Sequence, residues 1–472
     1  MAQQGWDPRG PRRATTTEHG RQAGSPDPGR SQGRPTRVTP ETSPESFTRE
    51  QRRSFRYTNR PEPEAEPEPE KKKPRRRGPA PGSFFDFGRI KFRWFRIEGV
   101  DFNFVISLLF LLGFGLLMVY SASSYVAVRD FSDQTHFFRS QLRNDIIGLI
   151  FMVLVAYFPY RFWQKIRHVE YAMALLVVAL VLVFGVESHG ATRWVALGPI
   201  QFQPAEAAKL AIILYLAAIV DRYGKSIDEP MNFITFLLLP LPICAEIYLL
   251  TDNLSSAIIV YGIAGVMLFV ATRGFKVFWI LLIIGGAAAA GIVGYVANMT
   301  LTEESSFRLG RIVAWLHPEN STDRAAHQAL QSMYAIGSGG IWGKGLGQSV
   351  QKLGSLPEPH NDFIFSIICE ELGIVGATVL ILLYLLLLGR MYAIARNTTD
   401  RYGFMVVVGT MAHIALQTVL NIAVATNSIP NTGVSLPFVS FGGSSAIFTL
   451  MEIGLVMSVH RYNVLEAKEE RA

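Results

Sequence analysis

The chain has 472 residues, 49% of them hydrophobic, and a positive mean hydropathy, which is high for a soluble protein with 41 Gly and 25 Pro. Its net charge of +7 is unevenly placed: residues 1–98 hold 22 basic and 13 acidic residues, while the other 374 hold 23 and 25. A basic excess confined to a coreless segment beside apolar runs argues against a nucleic-acid-binding domain, and suits retention at a cytoplasmic membrane face rich in anionic lipid.

Residues 1–85 are rich in Pro, Gly, Arg, Ser and Thr and poor in aliphatics, so the expectation is a disordered tail. Within it PEPEAEPEPEKKKPRRR reads as an extended charged linker. Residues 86–102 mix aromatics with Arg and Lys, as in an amphipathic segment lying on the inner membrane surface. The polar N-terminus shows no signal peptide, so the first apolar run is expected to direct insertion.

A bilayer-spanning helix needs roughly 20 residues. Ten runs are candidates, at about 103–123, 144–160, 169–187, 204–220, 231–250, 253–272, 275–297, 362–389, 403–426 and 436–459. This predicts an all-α integral membrane protein of about ten transmembrane helices, with its membrane domain at 103–460 and a short tail at 461–472. Basic residues gather in PYRFWQKIRH, DRYGKS, TRGFK and GRMYAIARNTTDRYG, so the positive-inside rule puts both termini in the cytoplasm. Residues 298–361 then form one long extracytoplasmic loop with no obvious structure of its own, and such loops are usually functional. Cys244 and Cys369 lie in apolar runs and suggest neither a disulfide framework nor a metal site.

Ionisable residues beside membrane helices point to function by default. Two readings stand for Asp362, at the mouth of the eighth run. With Asn361 it is placed to cap the helix start. Alternatively it is a carboxylate at the membrane surface, desolvated enough for general-base work. Arg308, Arg311, Arg324, Lys344 and Lys352 give the loop positive charge, either solvated or gathered for an anionic substrate. GSGGIWGKGLGQS (337–349) invites comparison with a phosphate loop but fails the pattern, with Ser338 for the first Gly and Gly345 for the Ser or Thr. Its glycines still allow exposed N–H groups to approach a phosphate. In QPAEAAKL, Glu206 and Lys209 share one helix face, as a self-neutralising pair or a cavity lining. Arg193 and Trp194 come just before, and NSIPNTGVSLPFVSFGGSSAIF joins the last two runs with small residues that permit close packing.

In their order these stretches closely resemble the SEDS family (shape, elongation, division and sporulation), the FtsW/RodA group of bacterial membrane proteins. The resemblance rests on FFRSQL, GATRWVALGPIQFQPAEAAKLAIILYLA, AHQALQSMYAIGSGGIWGKGLGQSVQKLGSLPEPHNDFIFSIICEELGIVG and PNTGVSLPFVSFGGSS, and covers about residues 100–460. Departures are Ala205 and Phe441, where the family usually has Ser and Tyr, Asn361 where Thr is usual, and TDNLSSA in place of a PDLGTA-like stretch.

The resemblance implies a peptidoglycan glycosyltransferase that polymerises lipid II at the outer face of the cytoplasmic membrane. It implies Asp362 as the catalytic base and a class B penicillin-binding protein, a transpeptidase, as partner among other divisome proteins. The GKGLGQS…QKL spacing and EELG look more like the FtsW branch, with its sporulation relative, than like RodA, which implies work at the division septum. Arg193, Glu206, Lys209, Arg308, Arg311, Lys344, Lys352 and His360 are then expected around the substrate, with Arg308, Arg311, Lys344 or Lys352 meeting its pyrophosphate, alone or with a divalent metal such as Mg or Mn. The rivals are a flippase for the lipid-linked precursor and a scaffold that only recruits the transpeptidase. Clustering of acids and bases on the outer side, rather than at the midplane, favours surface chemistry.

Overall fold

The structure is a computed structural model that describes residues 99–188, 191–197, 200–297, 307–319 and 324–471, all within a unit spanning 83–472. The expected tail, and nearly all of the segment at 86–102, lie outside the described residues. The helices are α1 (Phe102–Phe131), α2 (His136–Tyr157), α3 (Arg161–Phe184), α4 (Pro204–Tyr223), α5 (Pro230–Thr251), α6 (Leu254–Ala271), α7 (Phe275–Ala297), α8 (Phe307–Leu316), α9 (Arg324–Gly339), α10 (Ile364–Asn397), α11 (Arg401–Ala425) and α12 (Gly443–Glu469).

Eight of these, among the described residues, are long and apolar enough to cross a membrane. α4 carries Glu206, Lys209, Asp221 and Arg222 instead, and α7 offers a shorter apolar stretch, Ile283–Tyr295. Asp101 and Asp400 start α1 and α11 by accepting the N–H groups of Phe104 and Gly403. α4 is buried from Ile212 to Val220, packed by α3, α6 and α11. Phe110, Leu182, Val183, Leu249 and Leu385 face outward, as a hydrocarbon surround permits.

Two features go beyond the all-helical expectation. Residues 185–202 form an antiparallel sheet, β1 (Gly185–Ser188), β2 (Ala191–Leu197) and β3 (Ile200–Phe202), in that order, with Val186 opposite Trp194 and Val195 opposite Phe202. Its Val, Thr, Trp and Ile content suits a pleated surface. The long loop also has structure of its own, since it contains α8 and α9.

α10 has 34 residues, about 51 Å of helix, which exceeds the roughly 30 Å of bilayer hydrocarbon. Its start is wrapped in protein: Ile364 to Glu371 are all buried, and outward-facing apolar residues begin at Ile374. Between the two parts Gly373 (φ 67°, ψ −164°) breaks the helix. The freed backbone groups are taken by the turn at 340–345. Ile374 N–H donates to Gly340 O (3.0 Å) and Val375 N–H to Ile341 O (3.2 Å), while Lys344 and Gly345 N–H donate to Glu370 O and Glu371 O (both 2.9 Å). Irregular backbone at membrane depth persists only where protein satisfies it in this way. The approach is close enough that a Cβ on Gly339 would lie 1.9 Å from Cys369 O. Gly339 and Gly343 thus serve backbone docking onto α10.

Candidate active site

Asp362 lies just ahead of α10 and does not cap it: the N-cap position is Phe363, with no side-chain acceptor, and Asn361 instead donates to Glu358 Oε2 (2.6 Å). The capping reading is therefore set aside. The segment is clamped from behind through its carbonyls. Asn421 on α11 donates to Asp362 O (2.8 Å) and to Val434 O (2.7 Å). Ser440 Oγ donates to Asn361 O (2.6 Å), and Phe441 N–H to His360 O (2.9 Å). With its backbone held, the half-buried Asp362 side chain extends to Gly433, whose missing Cβ would sit 3.4 Å from Asp362 Oδ2 and 4.0 Å from Arg193 Nη1. Gly433 (φ 67°) lets the carboxylate and the guanidinium share that space.

Arg193, on β2, donates to Asp252 O (3.3 Å). Burial lowers its pKa, and the charges of Asp362 and Asp252 oppose that shift. From the loop, Arg311 on α8 donates to Asn431 O (3.3 Å), and Trp315 to Asn427 O (2.9 Å). α8 thus packs over the segment that carries Gly433. Arg308 falls in the first turn of α8, and its side chain lies outside the described residues.

The other expected residues are placed differently. Lys344 pairs with Glu370 (2.6 Å). Lys352 is 3% exposed and pairs with Glu371 (2.7 Å), which also accepts from Ser121 Oγ on α1 (2.6 Å). Both lysines fasten the loop to the broken end of α10 and are spent on carboxylates. His360 is 3% exposed, its ring against Phe137 (4.3 Å between centroids) and Phe441 (5.6 Å). Burial pushes its pKa down to about 4, so at neutral pH it is an uncharged wedge and not a cation for an anionic substrate.

Glu206 and Lys209 do pair (2.8 Å), deep in the bundle. Lys209 Nζ donates to Gln417 Oε1 (2.9 Å), and His413 Nε2 contacts the same oxygen (2.7 Å). His413 Nδ1 meets Glu452 Oε2 on α12 (2.7 Å). A chain of buried polar groups therefore crosses α4, α11 and α12 and ends one turn of α11 from Asn421, which holds Asp362. Sequence reasoning passed over His413, Gln417 and Asn421, although their four-residue spacing in an apolar run marks one polar stripe on one helix face. Among the described residues no three of His, Cys, Asp and Glu come together. Arg193 supplies positive charge beside the Asp362 carboxylate.

Comparison with known proteins bears on this geometry. The family model for FtsW/RodA/SpoVE cell cycle proteins matches residues 102–465. A probable peptidoglycan glycosyltransferase FtsW from Thiomicrospira cyclica is 37% identical over 77% of this chain and 92% of its own length. Stage V sporulation protein E of Bacillus subtilis is 38% identical over 77% and 97%. Among solved structures, a chain from a peptidoglycan synthase complex that coordinates polymerization and crosslinking superimposes with a TM-score of 0.63 at 29% identity, over 77% of this chain and 98% of that one. The rod shape determining protein RodA of Thermus thermophilus gives 0.57 at 29% identity, over the same shares.

Proposed function

This multi-pass membrane protein belongs to the FtsW/RodA/SpoVE cell cycle protein family, and on that premise we propose that it is a peptidoglycan glycosyltransferase, joining lipid II into glycan strands at the outer face of the cytoplasmic membrane. The observation that carries the reading is the half-buried Asp362 carboxylate, fixed through its own backbone beside Arg193 at one end of a membrane bundle. The names of the relatives support the activity, and the FtsW and sporulation names support a septal role. The complex that couples polymerization to crosslinking supports a class B penicillin-binding protein as partner.

In this reading the acceptor sugar's 4-hydroxyl attacks the donor's anomeric carbon. The new O–C bond forms as the bond to pyrophosphate breaks, and the configuration inverts. Asp362 accepts the hydroxyl proton. The pyrophosphate leaves with added negative charge, which Arg193 and Arg311 stabilise in this reading; their contacts at Gly433 and Asn431 support it. Apolar helix surfaces carry the lipid tails and so orient both sugars. Glu206 and Lys209 act at a distance, through Gln417 and the stripe on α11.

The test is polymerisation of lipid II by the purified chain with its transpeptidase partner. Asp362→Ala is expected to abolish glycan chains while the protein stays folded. Equal chain formation by the variant overturns the base assignment. Lipid II translocation in vesicles, with no polymer under any condition, overturns the enzyme reading in favour of transport.

A further inference from the structure

At the end of the bundle opposite Asp362, a cleft opens where α4, α6 and α11 meet. Arg401 begins α11, and Asn421, which holds the Asp362 carbonyl, is twenty residues further along it. The two places are thus roughly 30 Å apart, about the thickness of bilayer hydrocarbon.

Three cations line the cleft, each from a different element. Lys225 lies in the short 3-10 turn after α4 (Gly224–Asp228), Arg273 follows α6, and Arg401 starts α11. Among the described residues, none of these three side chains makes a hydrogen bond or ion pair. Two other cations at the same end do have carboxylate partners: Arg161 is held by Glu466 at 2.5 Å, and Arg390 by Asp101. The cleft's own carboxylate, Asp228, accepts the backbone N–H of Arg273 (3.0 Å). Asp221 feels the charge of Arg401 from beyond ion-pair distance. Gly224 (φ 57°) leaves room for the guanidinium, since a Cβ there would lie 3.0 Å from Arg401 Nη1. The remaining wall is apolar, with Val220, Val270 and Phe404.

Positive charge in a loop satisfies the positive-inside preference wherever it lies. Convergence of three cations without carboxylate partners on a half-apolar cleft asks for a ligand that is both anionic and greasy. We propose that the cleft binds the headgroup of an anionic membrane lipid, with its phosphate among Lys225, Arg273 and Arg401 and the first part of an acyl chain against Val220, Val270 and Phe404. A soluble phosphate compound shares the polar chemistry but has no use for the apolar wall.

The full chain in detergent is titrated with phosphatidylglycerol, phosphatidylcholine or inorganic phosphate, and followed by thermal unfolding and native mass spectrometry. Phosphatidylglycerol is expected to stay bound and raise the midpoint, and phosphatidylcholine to do neither. Joint Lys225→Gln, Arg273→Gln and Arg401→Gln is expected to weaken phosphatidylglycerol binding by at least about tenfold, while Arg396→Gln, in the last turn of α10 and outside the cleft lining, leaves it unchanged. Equal binding by the triple variant overturns the proposal. Inorganic phosphate that gives the full shift and displaces the lipid overturns the lipid source. Should the triple variant not fold, a phosphatidylglycerol with a photoreactive headgroup decides on the wild type: crosslinks at Phe404 or Met405 support the site, and crosslinks confined elsewhere refute it.

Discussion

Gly343 and Gly373 meet bare across the break in α10: a Cβ on Gly373 would lie 2.4 Å from Gly343 N and 2.3 Å from Ile341 O. Gly373 also has φ 67° and ψ −164°, a region open essentially to glycine alone. Alanine there must strain the backbone and push away the turn that accepts the N–H groups of Ile374 and Val375. Gly373→Ala is therefore expected to cost on the order of 1–3 kcal/mol from backbone strain alone. It should lower the thermal midpoint by several degrees and expose residues 339–353 to protease. An unchanged midpoint and digestion pattern would show that the turn is not needed to hold the break.

Lys352 and Glu371 form a buried pair, and such a pair is more costly to halve than to remove. Lys352→Met leaves Glu371 charged and enclosed, with Ser121 as its remaining side-chain donor. The expected loss is about 3–5 kcal/mol. Adding Glu371→Leu should recover most of it, because neither charge is then stranded. Denaturant unfolding of the two single variants and the double variant measures this. If the losses simply add, the lysine acts outside the pair, and the substrate role suggested by its position in the sequence returns.

The apolar runs, the long loop and the order of motifs were legible because hydropathy and loop charge act locally along the chain. What the sequence could not show was partnering. Lys344 and Lys352 look like free loop cations until the break at Gly373 brings Glu370 and Glu371 within 2.7 Å of them. The sheet at 185–202 was hidden because its strands are three to seven residues long and follow directly on α3. Asp362 was legible as a candidate, yet its cap reading failed only once Phe363 was seen at the N-cap. His413, Gln417 and Asn421 were readable as a stripe, but their link to Glu206 and Lys209 needed α4 and α11 side by side.

His360 makes a pH prediction whose sign follows from burial. Its pKa falls from 6.5 to about 4 on folding, so between those values the unfolded chain binds more protons. Stability is then fully present above about pH 6.5 and is lost as pH falls toward 4, by roughly 3 kcal/mol at the low end. His360→Gln, which does not titrate, should flatten that part of the stability curve, whatever its effect at pH 7.5. The check is the thermal midpoint of both proteins from pH 7.5 to 4.5. Parallel curves would mean that His360 is not the group that resists protonation.

Arg193 and Asp362 give the prediction that bears on chemistry. A nearby guanidinium favours the ionised carboxylate, so removing it raises the pKa of the base. With Arg193→Gln, Asp362 is protonated at a higher pH and the acid limb of the polymerisation profile moves upward. The maximal rate also falls, since one cation facing the pyrophosphate is gone. Asn421→Ala acts differently: it frees the Asp362 and Val434 carbonyls without changing local charge. It should lower the rate about tenfold, as expected for a loosened catalytic group, and leave the acid limb where it was. Lipid II polymerisation from pH 5 to 8 for the wild type and both variants separates the two effects. A limb that stays fixed in Arg193→Gln refutes the electrostatic role of Arg193, and a limb that moves in Asn421→Ala refutes a purely positional role for Asn421.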